Sequence, residues 1–203
     1  MATYLIFGAS ITYGAWDTEK GGWVQRLRSF IEEKNKMEDI VYNLGVSGDT
    51  TNYLLERFES ETKNRIEKGE PTIFIFSIDL NDSAKFNESR YLVEAEEFKK
   101  NLAHLTNLAK KYSEKVVFIG LTLVDEAKTV PVPWNKNVSY YNQDVIKYNE
   151  ILKTFCQENK LLFIDIINTL KVEDLEDGVH PNSKGHEQMF EIIKDSLIKN
   201  KII

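Results

Sequence analysis

Residues 4–14 read "YLIFGASITYG", and this stretch joins an apolar run to a glycine, an alanine and a serine. The apolar run shows no alternation with polar residues, which is typical of a strand buried on both faces of a parallel sheet. Ser10 follows the predicted strand at its carboxyl end, where open parallel sheets bind their ligands. The stretch therefore predicts a first parallel strand and offers Ser10 either as a nucleophile or as a simple turn residue.

Four similar apolar runs follow, at 39–44, 72–78, 115–122 and 161–166. Between the runs, apolar residues recur every three or four positions, which is typical of helices that pack against a sheet. These helix patterns include Trp23 to Ile31, Leu54 to Ile66, Ala95 to Ala109, Tyr148 to Phe155 and Met189 to Leu197. The alternation predicts an α/β fold, a three-layer α/β/α sandwich with a five-stranded parallel sheet and right-handed crossovers.

Length and composition limit the classes of protein that fit. The 203 residues, 42% hydrophobic and 29% charged, suit a single domain over residues 1–203. A net charge of −6 argues against a nucleic-acid partner. The run Tyr4 to Phe7 is too short for a signal peptide or a membrane span, so we expect a soluble, cytoplasmic protein. The single Cys156 is expected to be a buried structural thiol, and the sequence carries no signal for an oligomeric state.

Two long loops follow predicted strands, at 79–89 and 124–139. The second carries Pro131 and Pro133, from which we expect neither regular helix nor sheet. Trp134 in this loop and Trp16, near Tyr13 after the first strand, could form an apolar or carbohydrate-facing wall of a substrate site. The alternative is that these aromatic residues simply pack their own loops.

A serine nucleophile needs a base, and the base needs an orienting group. Of the three histidines, His104 and His186 fall within predicted helices, where we expect an exposed or flanking position and a surface position respectively. His180 lies in a loop, three residues after Asp177, a spacing that lets the carboxylate reach the imidazole. Taken alone, this spacing is as easily explained by a turn before a helix.

Four short blocks in order make the pattern specific. Gly8-Ala9-Ser10 follows the first strand, "NLGVSG" the second, Asn81-Asp82 the third, and Asp177-x-x-His180 precedes the last helix. In this order they resemble the SGNH hydrolases, also called the GDSL esterase/lipase family. The resemblance extends from the first strand to the last helix and implies a flavodoxin-like strand order 2-1-3-4-5.

The resemblance also implies the roles of individual residues. Ser10 corresponds to the nucleophile, His180 to the base and Asp177 to its orienting acid. The N–H groups of Ser10 and Gly45 and the side-chain amide of Asn81 correspond to the donors of the oxyanion hole. The reaction implied is hydrolysis of a small-molecule or carbohydrate ester, with a short acyl chain or an acetylated sugar expected, and with neither metal nor cofactor.

Two residues depart from the family pattern. Ala9 stands where the family has an aspartate, so Asp82, Asp49 or a backbone group would have to steady the serine loop instead. Asp79 stands where the family has a glycine, which bears on the placement of Asn81. These departures leave open a degenerate member that binds without cleaving. An acidic residue after the third strand also leaves open a flavodoxin-like receiver or binding module, although no acidic pair for Mg²⁺ follows the first strand.

Overall fold

The computed structural model describes residues 1–36, 38–78 and 80–203. Five parallel strands form the central sheet: β1 (Thr3–Gly8), β2 (Ile40–Gly45), β3 (Thr72–Ser77), β4 (Val116–Ile119) and β5 (Leu162–Ile164). Their order is β2-β1-β3-β4-β5, with Gly8 of β1 paired to Gly45 of β2 and Ser77 of β3. The predicted α/β fold and its strand order 2-1-3-4-5 are confirmed.

Burial along the strands follows their places in the sheet. All residues of β1 and β4 are buried, as expected for interior strands covered on both faces. In β2, by contrast, only Val41 and Leu44 are buried. Only Ile164 of β5 is buried. Because β2 and β5 lie at the two edges of the sheet, the expectation that all five runs are buried on both faces holds for the interior strands and not for these two.

Five long helices cover the two faces of the sheet: α1 (Gly22–Lys34), α2 (Thr51–Lys63), α3 (Ala95–Lys110), α4 (Asn142–Glu158) and α5 (Ser183–Lys199). One core layer contains Trp23 of α1 and Met189 of α5. The other contains Phe58 of α2, Phe98 of α3 and, from α4, the buried Cys156. No helix within the described residues is long and apolar enough to cross a membrane.

The two long loops are more regular than expected. Glu126–Thr129 forms one helical turn, and Val138–Ser139 pairs with Lys85–Phe86, which also pairs with Arg90–Tyr91, in a small antiparallel sheet. The expectation that 124–139 holds neither helix nor sheet is therefore wrong. Pro131 and Pro133 lie between the helical turn and the strand, so neither proline removes a hydrogen bond from a regular element.

Candidate active site

Ser10 is the first residue of a one-turn helix, Ser10–Tyr13, which begins directly after β1. Gly8, the last residue of β1, allows this sharp turn, because a Cβ there would lie 1.9 Å from Thr12 Oγ1 and 2.4 Å from the Ser77 carbonyl oxygen. Position N1 of a helix also leaves the Ser10 N–H without an intrahelical acceptor. Ser10 therefore offers both a side-chain hydroxyl and a backbone donor at the carboxyl edge of the sheet.

His180 connects Ser10 to Asp177. Its Nε2 lies 2.8 Å from Ser10 Oγ, and its Nδ1 lies 2.7 Å from Asp177 Oδ2. Asp177 Oδ1 also accepts hydrogen bonds from the N–H groups of Val179 (3.0 Å) and His180 (2.9 Å). The tight turn thus fixes the carboxylate relative to the imidazole through hydrogen bonds that do not involve Ser10.

The environment of Asp177 keeps its carboxylate ionised. Burial acts to raise the pKa of Asp177, but hydrogen bonds from the His180 side chain and from the two N–H groups outweigh burial and hold the pKa below its usual value. An ionised Asp177 accepts a hydrogen bond from His180 Nδ1–H, which leaves Nε2 free to take a proton from Ser10.

Asn81 lies at the same edge, at the start of a 3₁₀ turn after β3. Its Nδ2 donates to the Asp49 carbonyl oxygen (2.7 Å), and its Oδ1 accepts from the Tyr140 hydroxyl (2.7 Å). A side-chain amide carries two N–H donors, so one remains beyond the bond to Asp49. Asp49 and Tyr140 thereby fix the orientation of an amide that borders the cleft next to Ser10.

Gly45 does not enter this cleft. Its N–H donates to Asn43 Oδ1 (3.0 Å), and a Cβ at this position would lie 2.2 Å from the Tyr13 nitrogen. A glycine is needed here because β2 packs closely against the Ser10–Tyr13 turn. The structure therefore does not support the expected oxyanion role of Gly45, and it brings Gly48, with a φ of 86°, to the cleft instead.

The serine turn is held without a carboxylate at Ala9. Asn43 Nδ2 donates to the Thr12 carbonyl oxygen (2.9 Å), and Thr12 Oγ1 donates to that of Ser77 (3.1 Å). Arg57 Nη2 donates to the carbonyl oxygens of Leu44 (2.9 Å) and Gly8 (3.3 Å), while its Nε bonds Asp49. Asp49 thus supports the turn through Arg57. The other departure, Asp79, lies outside the described residues.

Trp16 and Trp134 border the same cleft, which has a volume of about 340 Å³ and also contains Ser10, Asn81 and His180. Both indoles are about half exposed, at 54% and 53%. The Trp134 ring centre lies 5.5 Å from that of His180. Both indoles thus border the same cleft as Ser10 and keep part of their surface exposed.

Among the other histidines, His104 is exposed, as expected, but His186 is fully buried. His186 Nδ1 accepts from the Trp23 N–H (3.3 Å), and Nε2 donates to the Ala15 carbonyl oxygen (3.1 Å). The surface position expected for His186 is wrong, because its ring joins α5 to the segment after Ser10. Burial lowers the pKa of His186, which favours the neutral ring that this pair of bonds requires.

Within residues 1–36, 38–78 and 80–203, we find no group of three or more acidic, histidine or cysteine side chains that could hold a metal ion. The residues at the cleft offer a serine hydroxyl hydrogen-bonded to an imidazole, beside further hydrogen-bond donors. Such an arrangement can transfer an acyl group to the serine and then to water.

Two curated esterases resemble the chain in sequence. An isoamyl acetate-hydrolyzing esterase of Saccharomyces cerevisiae is 27% identical over 97% of this chain and 84% of its own length. A multidomain esterase of Ruminococcus flavefaciens is 27% identical over 90% of this chain, which spans only 26% of that protein.

Solved structures share the fold. A member of the lipolytic G-D-S-L family from Veillonella parvula is 20% identical, with a TM-score of 0.74 over 96% of this chain and 97% of its own. An acetyl-xylooligosaccharide esterase from Geobacillus stearothermophilus, solved as a mutant, is 19% identical, with a TM-score of 0.73 over 96% of this chain and 93% of its own.

The family model of GDSL-like lipases and acylhydrolases matches residues 4–193, nearly the whole chain. The matched region includes Ser10, Asp177 and His180, and all five strands of the sheet except Thr3, the first residue of β1. This chain therefore belongs to the GDSL-like lipase/acylhydrolase family, hydrolases that act on ester bonds.

Proposed function

We propose that this protein is a serine esterase that hydrolyses short-chain acyl esters through a Ser10, His180 and Asp177 triad. The observation that carries the proposal is the continuous chain of hydrogen bonds from Asp177 Oδ2 through His180 to Ser10 Oγ, at 2.7 and 2.8 Å. These three hydrogen-bonded side chains lie at an open cleft that Asn81 also borders.

In the first half of the reaction, Ser10 Oγ attacks the ester carbonyl carbon while His180 Nε2 takes the hydroxyl proton. The resulting oxyanion is stabilised by the N–H groups of Ser10 and Gly48 and by the free N–H of Asn81. Gly48 replaces Gly45 in this role because Gly48 borders the cleft, whereas the Gly45 N–H is bonded to Asn43. His180 then protonates the departing alkoxide, and the alcohol leaves an acyl group on Ser10.

In the second half, water attacks the acyl-enzyme while His180 Nε2 takes one of its protons. The tetrahedral species collapses, Ser10 Oγ takes the proton back from His180, and the carboxylic acid is released. Asp177 holds the imidazole in the required tautomer and stabilises its cation in both halves.

We propose that the alcohol part of the substrate is a carbohydrate, so that the whole substrate is an acetylated carbohydrate. The half-exposed indoles of Trp16 and Trp134 offer apolar faces of the kind that pack on sugar rings, at the entrance to the cleft. The named activities of the relatives, on isoamyl acetate and on acetyl-xylooligosaccharides, agree in the acetyl group and differ in the alcohol.

The test is hydrolysis of p-nitrophenyl acetate by the wild type, Ser10→Ala and Asn81→Ala, with circular dichroism to check folding. We expect Ser10→Ala to lose the activity. Asn81→Ala should lose about 10²–10³ in kcat, the usual cost of one oxyanion donor. A folded Ser10→Ala protein that retains wild-type turnover, or a wild type without Ser10-dependent hydrolysis of any ester, would refute the proposal.

A further inference from the structure

A second, smaller cavity adjoins Ser10 on the side of the sheet core. Its volume is about 30 Å³, and it shares Ser10 and Asn81 with the open cleft. Its apolar walls are formed by Ile11, Ile78, Leu80, Leu121, Val179 and Met189. Because one water-sized group needs roughly 10–15 Å³, this cavity has room for about two to three such groups.

The geometry at Ser10 assigns a direction to each part of a bound ester. The leaving oxygen must lie within reach of His180 Nε2, which faces Ser10 from the open cleft. The carbonyl oxygen must lie near the Asn81 amide. The remaining substituent of the carbonyl carbon is the acyl chain, and the small cavity is the space beside Ser10 that neither group occupies.

We propose that this cavity is the acyl pocket, and that its size restricts the enzyme to acetyl esters in preference to butyryl and longer esters. This inference rests on the proposed esterase function and deepens it. Acetate places one methyl group beyond its carbonyl carbon, which the cavity holds, whereas butyrate places three carbon atoms there, which need the whole cavity or more space than it has.

The walls of the pocket are anchored and cannot easily yield to a longer chain. The Leu121 N–H donates to Asn149 Oδ1 (3.0 Å), and the Gly120 N–H donates to the Ile164 carbonyl oxygen (2.9 Å). Side chains in a packed core resist added volume, because extra methylene groups force strained rotamers on their neighbours. The backbone at Gly120 and Leu121, directly after β4, is therefore fixed on this side of the pocket.

A further residue favours a small apolar group. Ala9, which stands where the family has an aspartate, contributes to the cavity lining, so no charged side chain enters from that position.

The test compares kcat/KM for p-nitrophenyl acetate, propionate, butyrate and hexanoate. For the wild type, we expect a fall of roughly a hundredfold or more from acetate to butyrate, because the two esters differ by two methylene groups and an apolar pocket discriminates one such group by about tenfold or more. Leu121→Ala and Leu80→Ala widen the pocket, and each should raise the butyrate-to-acetate ratio by about tenfold. Because Leu80 is only partly buried, we expect Leu80→Ala to fold, and this variant can be measured even if Leu121→Ala does not fold.

Leu102→Ala is the matched control, because it makes the same truncation in the same core layer as Leu121, at a residue that does not line the cavity. It should lower stability and keep the wild-type acyl preference. A wild type without acetate preference, or folded widened variants with an unchanged ratio, would overturn the acyl pocket while Ser10-dependent hydrolysis persists. If Ser10→Ala retains activity on every ester, the proposed function fails instead.

Discussion

Tyr140 donates its hydroxyl hydrogen to the side-chain Oδ1 of Asn81, and this bond helps to select which way the side-chain amide faces. The side chain is buried, with 6% exposure, and burial raises the pKa of its hydroxyl above the usual value, so the hydroxyl keeps its proton and acts as a donor. With Oδ1 engaged by Tyr140, Nδ2 must face Asp49 and the cleft. Tyr140 is therefore a positioning residue for the proposed oxyanion hole.

Tyr140→Phe should lower kcat by up to about tenfold and leave KM nearly unchanged. This change in kcat corresponds to a free energy of about 0.5–1.5 kcal/mol, which is the usual net contribution of one buried hydrogen bond. Steady-state kinetics with an acetate ester gives both constants. In an Asn81→Ala background, the same substitution should have no further effect, because the amide it orients is gone. An equal loss in both backgrounds would show that Tyr140 acts through general packing.

Some residues of the candidate site can be identified from the sequence, and others cannot. Ser10, Asn81, Asp177 and His180 can be identified in the sequence because the blocks that contain them, taken together and in order, resemble those of the family. Tyr140 does not, since nothing local indicates which tyrosine will face a turn 59 residues earlier in the chain. The sequence likewise does not show whether Gly45 or Gly48 lies at the cleft, because this depends on how closely β2 approaches the serine turn.

At the scale of elements, Asp82 ties the turn after β3 to the start of α2. Its carboxyl group accepts from the Thr51 N–H (3.1 Å) and from the Thr51 hydroxyl, which in turn accepts from Asn101 of α3 (2.8 Å). Complete burial raises the pKa of Asp82 to about 7, with hydrogen bonds from Thr51 opposing the rise and the negative charge of Glu97 adding to it. The native protein thus retains a proton on Asp82 that the unfolded chain loses at lower pH.

The free energy of unfolding should therefore fall as pH rises from about 4, the pKa of an unfolded aspartate, to about 7. The contribution of Asp82 is at most about 4 kcal/mol, from three pKa units at 1.36 kcal/mol each. Asp82→Asn keeps the size and an acceptor but does not titrate. Urea unfolding at pH 5 and pH 8 should show a smaller loss of stability for the variant than for the wild type. Parallel pH dependence of the two proteins would contradict a raised pKa.

Element prediction from the sequence works where the pattern is long. The five strands and five long helices each carry enough apolar positions to reveal their period, and all are present. The strands Lys85–Phe86, Arg90–Tyr91 and Val138–Ser139 have two residues each, too few to show alternation. Their pairing depends on two loops that are distant in the chain and meet only in the folded protein.

At the scale of the whole molecule, the residues that stabilise the sheet and the residues of the proposed active site lie in different parts of it. Phe58 of α2 packs its ring 5.1 Å from Phe7, 5.6 Å from Phe74 and 5.9 Å from Phe76, in the layer between the sheet and α2. The proposed triad and oxyanion donors lie instead at the carboxyl edge of the strands. The aromatic layer holds β1 and β3 together and so carries the two turns that bear Ser10 and Asn81.

Phe58→Ala should lower the free energy of unfolding by about 3–5 kcal/mol, the usual cost of truncating a buried phenylalanine. Tyr53→Ala is the matched control, because Tyr53 lies on the same helix with 58% of its surface exposed, and it should change stability by no more than about 0.5 kcal/mol. Urea unfolding measures both. Below the unfolding transition, each variant should keep the wild-type kcat on an acetate ester, because neither side chain borders the cleft or the acyl pocket. A loss of kcat in folded Phe58→Ala would mean that the aromatic layer also sets the geometry between Ser10 and Asn81, since Phe58 reaches the site only through β1 and β3.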